Sequence, residues 1–102
     1  LQLQRILILV LCFWSCSKKT SAQKELTIAD PTIFLHKGTY YLYGTSPESG
    51  QGFLVYTSKD LMNWSNPVGA TRGMALSKEH TFGTTGFWAP QVFHYRDKFY
   101  MA

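Results

Sequence analysis

The sequence predicts an all-β protein of the propeller type, and three observations carry that reading. A stretch patterned as a β-hairpin recurs without a gap 59 positions later, with 31 matching 90 and 41 matching 100. Clusters of Gly, Ser, Thr, Pro and Asn separate short runs of β-formers through the body. No part of the body sustains the 3.6-residue period of an amphipathic helix.

The first hairpin opens on Ala29-Asp30-Pro31. Residues 32–35 are β-branched and apolar, His36-Lys37-Gly38-Thr39 is turn chemistry, and residues 40–43 form a second β-former run. Its echo begins at Trp88-Ala89-Pro90 and aligns Pro31 with Pro90, Phe34 with Phe93, Gly38 with Asp97 and Tyr41 with Tyr100. Propeller blades run about 40–50 residues, so a longer spacing implies long connections between blades. Asp30 falls opposite Ala89. The repeated scaffold therefore does not require a carboxylate at that position, and the first copy has added one.

Between the two copies, residues 44–52 read as a loop and residues 53–58 as the third strand. Lys59-Asp60-Leu61-Met62-Asn63-Trp64 follows as a tight turn in which Asp60 caps backbone, and a short fourth strand falls near residues 67–71. Residues 72–86 read as an irregular connection leading to Phe87-Trp88-Ala89-Pro90. The first blade is expected over residues 29–72, with the second beginning near residue 86. A closed propeller takes at least about four blades, and each needs its neighbours to bury its faces. The chain of 102 residues, which opens on Leu, is accordingly expected to be the N-terminal piece of a longer protein.

Ahead of the body, Arg5 precedes an apolar run too short to span a bilayer, so residues 1–16 read as a secretion signal. Two exits are open. Ser15-Cys16 followed by Ser17-Lys18-Lys19 resembles a relaxed lipobox with Cys16 as the lipid-attachment residue. Thr20-Ser21-Ala22 instead suits ordinary cleavage after Ala22. Residues 17–28 read as a polar linker. Either exit places the protein outside the cytoplasm, with a lipid anchor or signal peptide as its one expected tie to a membrane.

The formal charge of +4 is concentrated in the leader. From Leu26 onward six basic residues face five acidic ones, which leaves no electrostatic footprint for nucleic acid. Cys12 and Cys16 have no further Cys behind them, and no His pair follows at ligand spacing. No metal site and no cofactor are expected from these residues. His36, His80 and His94 stand singly and read as structural or solvated. The aromatic share of 16% suits a β-protein, or one that stacks on sugar rings.

Ala29-Asp30-Pro31 before a Tyr-Tyr hairpin, then Tyr56-Thr57-Ser58-Lys59-Asp60-Leu61-Met62-Asn63-Trp64, then Phe87-Trp88-Ala89-Pro90, together resemble glycoside hydrolase family 43. The resemblance covers residues 29–102 and implies a five-bladed propeller, of which the first blade and the start of the second are present. It implies an inverting glycosidase acting on arabinosyl or xylosyl linkages of plant polysaccharides, with Asp30 as the general base. Phe87 and Trp88 are the implied substrate-binding aromatics. The proton-donating acid and the acid that tunes it would lie in later blades. Some members hold a structural calcium at the propeller centre. Gln91 departs from the family, which commonly carries an acidic residue there, and this leaves the subfamily and substrate open.

Two alternatives stand beside the inverting hydrolase. One is a sister propeller that cleaves fructosides with retention, although the Trp-Met-Asn usual before its Asp-Pro is lacking here. The other is a surface propeller that only binds glycan. For the remaining aromatics, Phe34, Tyr40, Tyr41, Tyr43, Trp64, Phe93, Phe99 and Tyr100, the expectation is packing within and between blades.

Overall fold

The computed structural model describes residues 25–48 and 50–102. The secretion signal over residues 1–16, lipidation at Cys16, cleavage after Ala22 and the linker up to residue 24 fall outside these residues.

The described chain is all-β. Seven strands run in order β1 (Ala29–His36), β2 (Thr39–Thr45), β3 (Gly52–Leu54), β4 (Tyr56–Ser58), β5 (Met74–Ser77), β6 (Val92–Tyr95) and β7 (Lys98–Met101). A single 3₁₀ turn, Lys78–His80, follows β5. Strands β1, β2 and β4 form one antiparallel sheet, β3 pairs with β5, and β6 pairs with β7.

The repeat in the sequence is a repeat in register. In the first hairpin Ile33 faces Leu42, Phe34 faces Tyr41 and His36 faces Thr39. In the second, Val92 faces Met101, Phe93 faces Tyr100 and Tyr95 faces Lys98. Both loops hold two residues with positive φ, Lys37 (46°) with Gly38 (71°) and Arg96 (46°) with Asp97 (60°). Positive φ at both central residues is the type I′ geometry, whose twist matches that of the flanking strands. Gly38 enters that region without steric penalty, and Asp97 is among the residues that tolerate it.

The expected third strand is two strands. Gly52–Leu54 pairs with β5, whereas Tyr56–Ser58 pairs with β2. Val55 marks the change of partner: its N–H donates to the Gly73 carbonyl at 3.2 Å and its carbonyl accepts from Val68 N–H at 2.9 Å. Every residue from Gly52 to Tyr56 is buried, so polar-apolar alternation is absent and cannot mark the break.

The fourth strand also lies elsewhere than expected. Residues 67–71 contribute one bond to Val55 and isolated bridges Gly69–Gly73 and Thr71–Met74 around a tight reversal. Pro67 lacks a backbone donor, and the strand forms only once the chain has turned, as Met74–Ser77 against β3. The first sheet unit thus continues into the stretch read as irregular connection.

The core gathers Leu42, Leu54, Tyr56 and Met74, with Leu26, Ile28 and Trp64 packed on its edge. A fully buried Leu or Met side chain such as Leu42, Leu54 or Met74 contributes about 1.5–3 kcal/mol. Burial raises the Tyr43 phenol above its ordinary pKa, and neighbouring Tyr41 adds to the effect. Between the two hairpins, Phe99 meets Phe34 edge-on at 5.8 Å and His36 edge-on at 5.0 Å, and His36 lies 6.0 Å from His94; within the second hairpin Phe93 stacks on Tyr100 at 5.3 Å. The second hairpin is docked on the first through aromatic rings, as expected for packing between blades.

Candidate active site

Asp30 stands at a break in the ladder. Ala29 faces Thr45 and the next paired residue, Thr32, faces Tyr43, so Asp30 and Pro31 together oppose the single residue Gly44. Such a bulge twists the strand and re-aims the side chains it carries. Asp30 adopts φ 47°, a left-handed conformation uncommon for residues other than Gly, Asn and Asp. Gly44 is required opposite it. A Cβ there would lie 2.6 Å from Ile28 Cγ1 and 2.7 Å from the Ala29 carbonyl oxygen.

The carboxylate of Asp30 is exposed, with one oxygen engaged. Thr45 Oγ1 donates to Asp30 Oδ2 at 3.2 Å and accepts from the backbone N–H of Ala89 at 2.9 Å. Ala89 is the repeat partner of Asp30 and has the same φ of 47°. The two equivalent positions are therefore linked through one hydroxyl across the junction between hairpins. Among the described residues Asp30 Oδ1 carries no hydrogen bond, which leaves it open to water.

The two candidate aromatics part company. Phe87 is buried, its ring edge-on to Phe53 at 5.8 Å and 90°. Trp88 is 70% exposed and lies over Gly86, where an added Cβ would sit 3.5 Å from the indole. The two rings lie in irregular backbone between residues of positive φ, Gly86 (75°) and Ala89 (47°), one turned into the core and the next outward. Of the two, Trp88 is the ring open to solvent, and it directly precedes the Ala89 N–H tied to Thr45.

Asp60 is occupied as a cap. Its Oδ1 accepts from Met62 N–H at 2.9 Å, Asn63 N–H at 2.8 Å and the Ser58 hydroxyl at 3.0 Å, and its Oδ2 accepts from the Asn63 amide at 2.8 Å. The Asn63 backbone and side-chain donors, then Met62 N–H, hold this carboxyl far below the ordinary carboxylate range. A group so strongly kept as an anion is unsuited to donating a proton. His36 and His94 pack on Phe99, and His80 Nδ1 lies 2.8 Å from the Ser77 hydroxyl. Among the described residues no three His, Cys, Asp or Glu converge.

Thr45 and Gly44 were not singled out by the sequence. Counting back from a two-residue turn at Lys37-Gly38 places Thr45 opposite Asp30 and Gly44 opposite Pro31, one residue away from the bulged register, and that count was the available signal.

A profile of glycosyl hydrolases family 43 matches residues 24–102, the whole body of the chain. The chain belongs to this family. Family 43 kinship extends to a curated extracellular exo-α-(1→5)-L-arabinofuranosidase of Cellvibrio japonicus, 27% identical over 94 residues. That match covers 84% of this chain and 24% of the relative. A crystal structure of an endo-1,4-β-xylanase from Bacteroides thetaiotaomicron superposes with a TM-score of 0.63 and 42% identity, over 74% of this chain and 25% of that one. A thermostable family-43 glycoside hydrolase superposes with a TM-score of 0.64 and 38% identity, over 80% and 25% respectively. The family-43 chain described here therefore spans about a quarter of the length of these relatives, and its strands are part of a propeller.

Proposed function

We propose that the protein is an extracytoplasmic glycoside hydrolase that cleaves arabinosyl or xylosyl linkages of plant polysaccharides with inversion. In this reading Asp30 is the general base, and Trp88 offers an aromatic platform to a sugar ring. Phe87 is assigned to packing. The observation that carries the reading is the exposed carboxylate on a bulge whose structural repeat, Ala89, has the same backbone conformation and no acid.

Inverting hydrolysis needs a base carboxylate and an acid about 6.5–9.5 Å apart, with water held between the base and the anomeric carbon. Asp30 fits the base: one oxygen is fixed by Thr45 and the other is open to water. Asp60 is committed to its turn and does not supply the acid, which in this reading lies in a later blade. The substrate class is supported by the arabinofuranosidase and xylanase named among the relatives, and the location by the extracellular relative. A secretion signal in residues 1–16, with lipidation at Cys16 or cleavage after Ala22, accords with that location.

The test is hydrolysis by the full-length protein of nitrophenyl arabinofuranoside, nitrophenyl xyloside and arabinan, with the product anomer followed by NMR. Inverted product from a pentoside is expected. A retained anomer would replace the base assignment with a nucleophile, and binding without hydrolysis of any pentoside would remove the enzymatic reading.

A further inference from the structure

We infer that Thr45 is a positioning residue for the Asp30 carboxylate, and that it ties this carboxylate to the segment carrying Trp88. The inference rests on Asp30 being the general base and assigns a group beyond it.

Three observations converge on Thr45. It ends β2 directly opposite the bulge, paired with Ala29, so its side chain reaches the carboxylate across one rung of the sheet. Its hydroxyl accepts from Ala89 N–H at 2.9 Å and lies 3.2 Å from Asp30 Oδ2. A hydroxyl has one proton to donate, and accepting from a backbone N–H leaves that proton free for the carboxylate. The direction of the chain is therefore fixed: Ala89 N–H to Thr45 O, and Thr45 O–H to Asp30 Oδ2.

The arrangement has two effects on Asp30. A donor on Oδ2 restrains rotation about the Cβ–Cγ bond and leaves Oδ1 as the oxygen that can take a proton from water. Because the hydroxyl is anchored on Ala89, the orientation of the carboxylate is referred to the second hairpin and not only to its own strand. A general base gains from being held in a near-attack geometry before the substrate arrives. The residue acts on the rate of the chemical step and has no direct bond to sugar.

The experiment compares Thr45→Val, which keeps shape and β-propensity while removing the hydroxyl, with Thr45→Ser, which keeps the hydroxyl, in the full-length protein. Asp30→Asn is run beside them. For Thr45→Val the expected result is a loss in kcat of about tenfold or more with KM within about twofold, the size for losing a hydrogen bond to a charged group. Thr45→Ser is expected to stay within about threefold of wild type in kcat, since donor and acceptor are both kept.

If Thr45→Val does not fold, as judged by its thermal melt, Thr45→Ala removes the same hydroxyl with less bulk and is read in its place. Wild-type kcat in the variant without the hydroxyl, with Asp30→Asn inactive, overturns the role of Thr45 and leaves the base assignment standing. Equal losses from Ser and Val also overturn it, since the hydroxyl would then not be the acting group. Near-full activity of Asp30→Asn instead overturns the base assignment, and the role of Thr45 with it.

Discussion

Asp30 and Ala89, 59 positions apart, share a backbone φ of 47° and are joined through the hydroxyl of Thr45. The left-handed backbone is thus a property of the repeated module and not of the acid. The module supplies a residue turned out of the ladder, and the carboxylate is present in only one copy.

Replacing that carboxylate while keeping the backbone isolates its chemistry. Asn is the better substitution, because it tolerates positive φ where Ala pays for it. Asp30→Asn is expected to lower kcat/KM on a pentoside substrate by about 10² to 10⁴, the range of general base catalysis. The melting temperature should change little. Steady-state kinetics with a thermal melt on the same preparation reads both.

Gly44 holds the space that the bulge needs. A Cβ would meet Ile28 and the Ala29 carbonyl well inside van der Waals contact, so Gly44→Ala must displace the segment that leads into Asp30. The expected cost is about 1–3 kcal/mol in stability, as for overpacking elsewhere. Activity should fall as well, since the displaced segment carries the carboxylate. Denaturant unfolding and turnover, measured together, should move in the same direction.

Neighbouring aromatics should respond in opposite ways. Phe87→Ala empties a buried ring site against Phe53 and is expected to destabilise the protein by about 3 kcal/mol or more, with any surviving folded enzyme keeping its KM. Trp88→Ala touches an exposed ring and should leave the melt almost unchanged while raising KM several-fold, in line with the about 0.5–1.5 kcal/mol typical of aromatic contacts. A reversed pattern would reverse the assignment of the two rings.

Asp60 predicts an acid-dependent contribution. Its carboxyl is held below the ordinary range by the Asn63 and Met62 donors, so its stabilising effect is complete above the unfolded carboxylate value, about 3.9. The effect fades as pH falls below that value. The melting temperature of wild type should therefore exceed that of Asp60→Ala at neutral pH, and the gap should narrow as pH is lowered from about 5 to below 3. Turnover at neutral pH should be kept by any Asp60→Ala protein that is folded, because the group serves a turn.

Both hairpins were legible because their signal is local. Turn residues at 37–38 and 96–97 fix a two-residue loop, and the loop fixes the cross-strand pairs after it as far as the bulge at Asp30 and Pro31. Asp30 was legible because the repeat supplied its own comparison. The split at Val55 was hidden, since a segment buried on both faces shows no alternation. Met74–Ser77 was hidden by its length: Met74 and Leu76 alternate over only four residues, between a Gly-rich reversal and a charged 3₁₀ turn. The turn register brings Thr45 close to Asp30, but its second tie was hidden for a different reason. Its role depends on Ala89, 44 residues away, and no local pattern reports a contact across that distance.

That separation also orders assembly. Hairpins close through neighbours in sequence within about 1–10 μs, whereas contacts between distant segments wait for the ends of a long loop to meet. During synthesis the strand carrying Asp30 can pair with β2 as soon as both have left the ribosome. Its acid is anchored only after the next blade has emerged and docked. A nascent chain would accordingly carry a finished sheet before its Asp30 carboxylate was held in place.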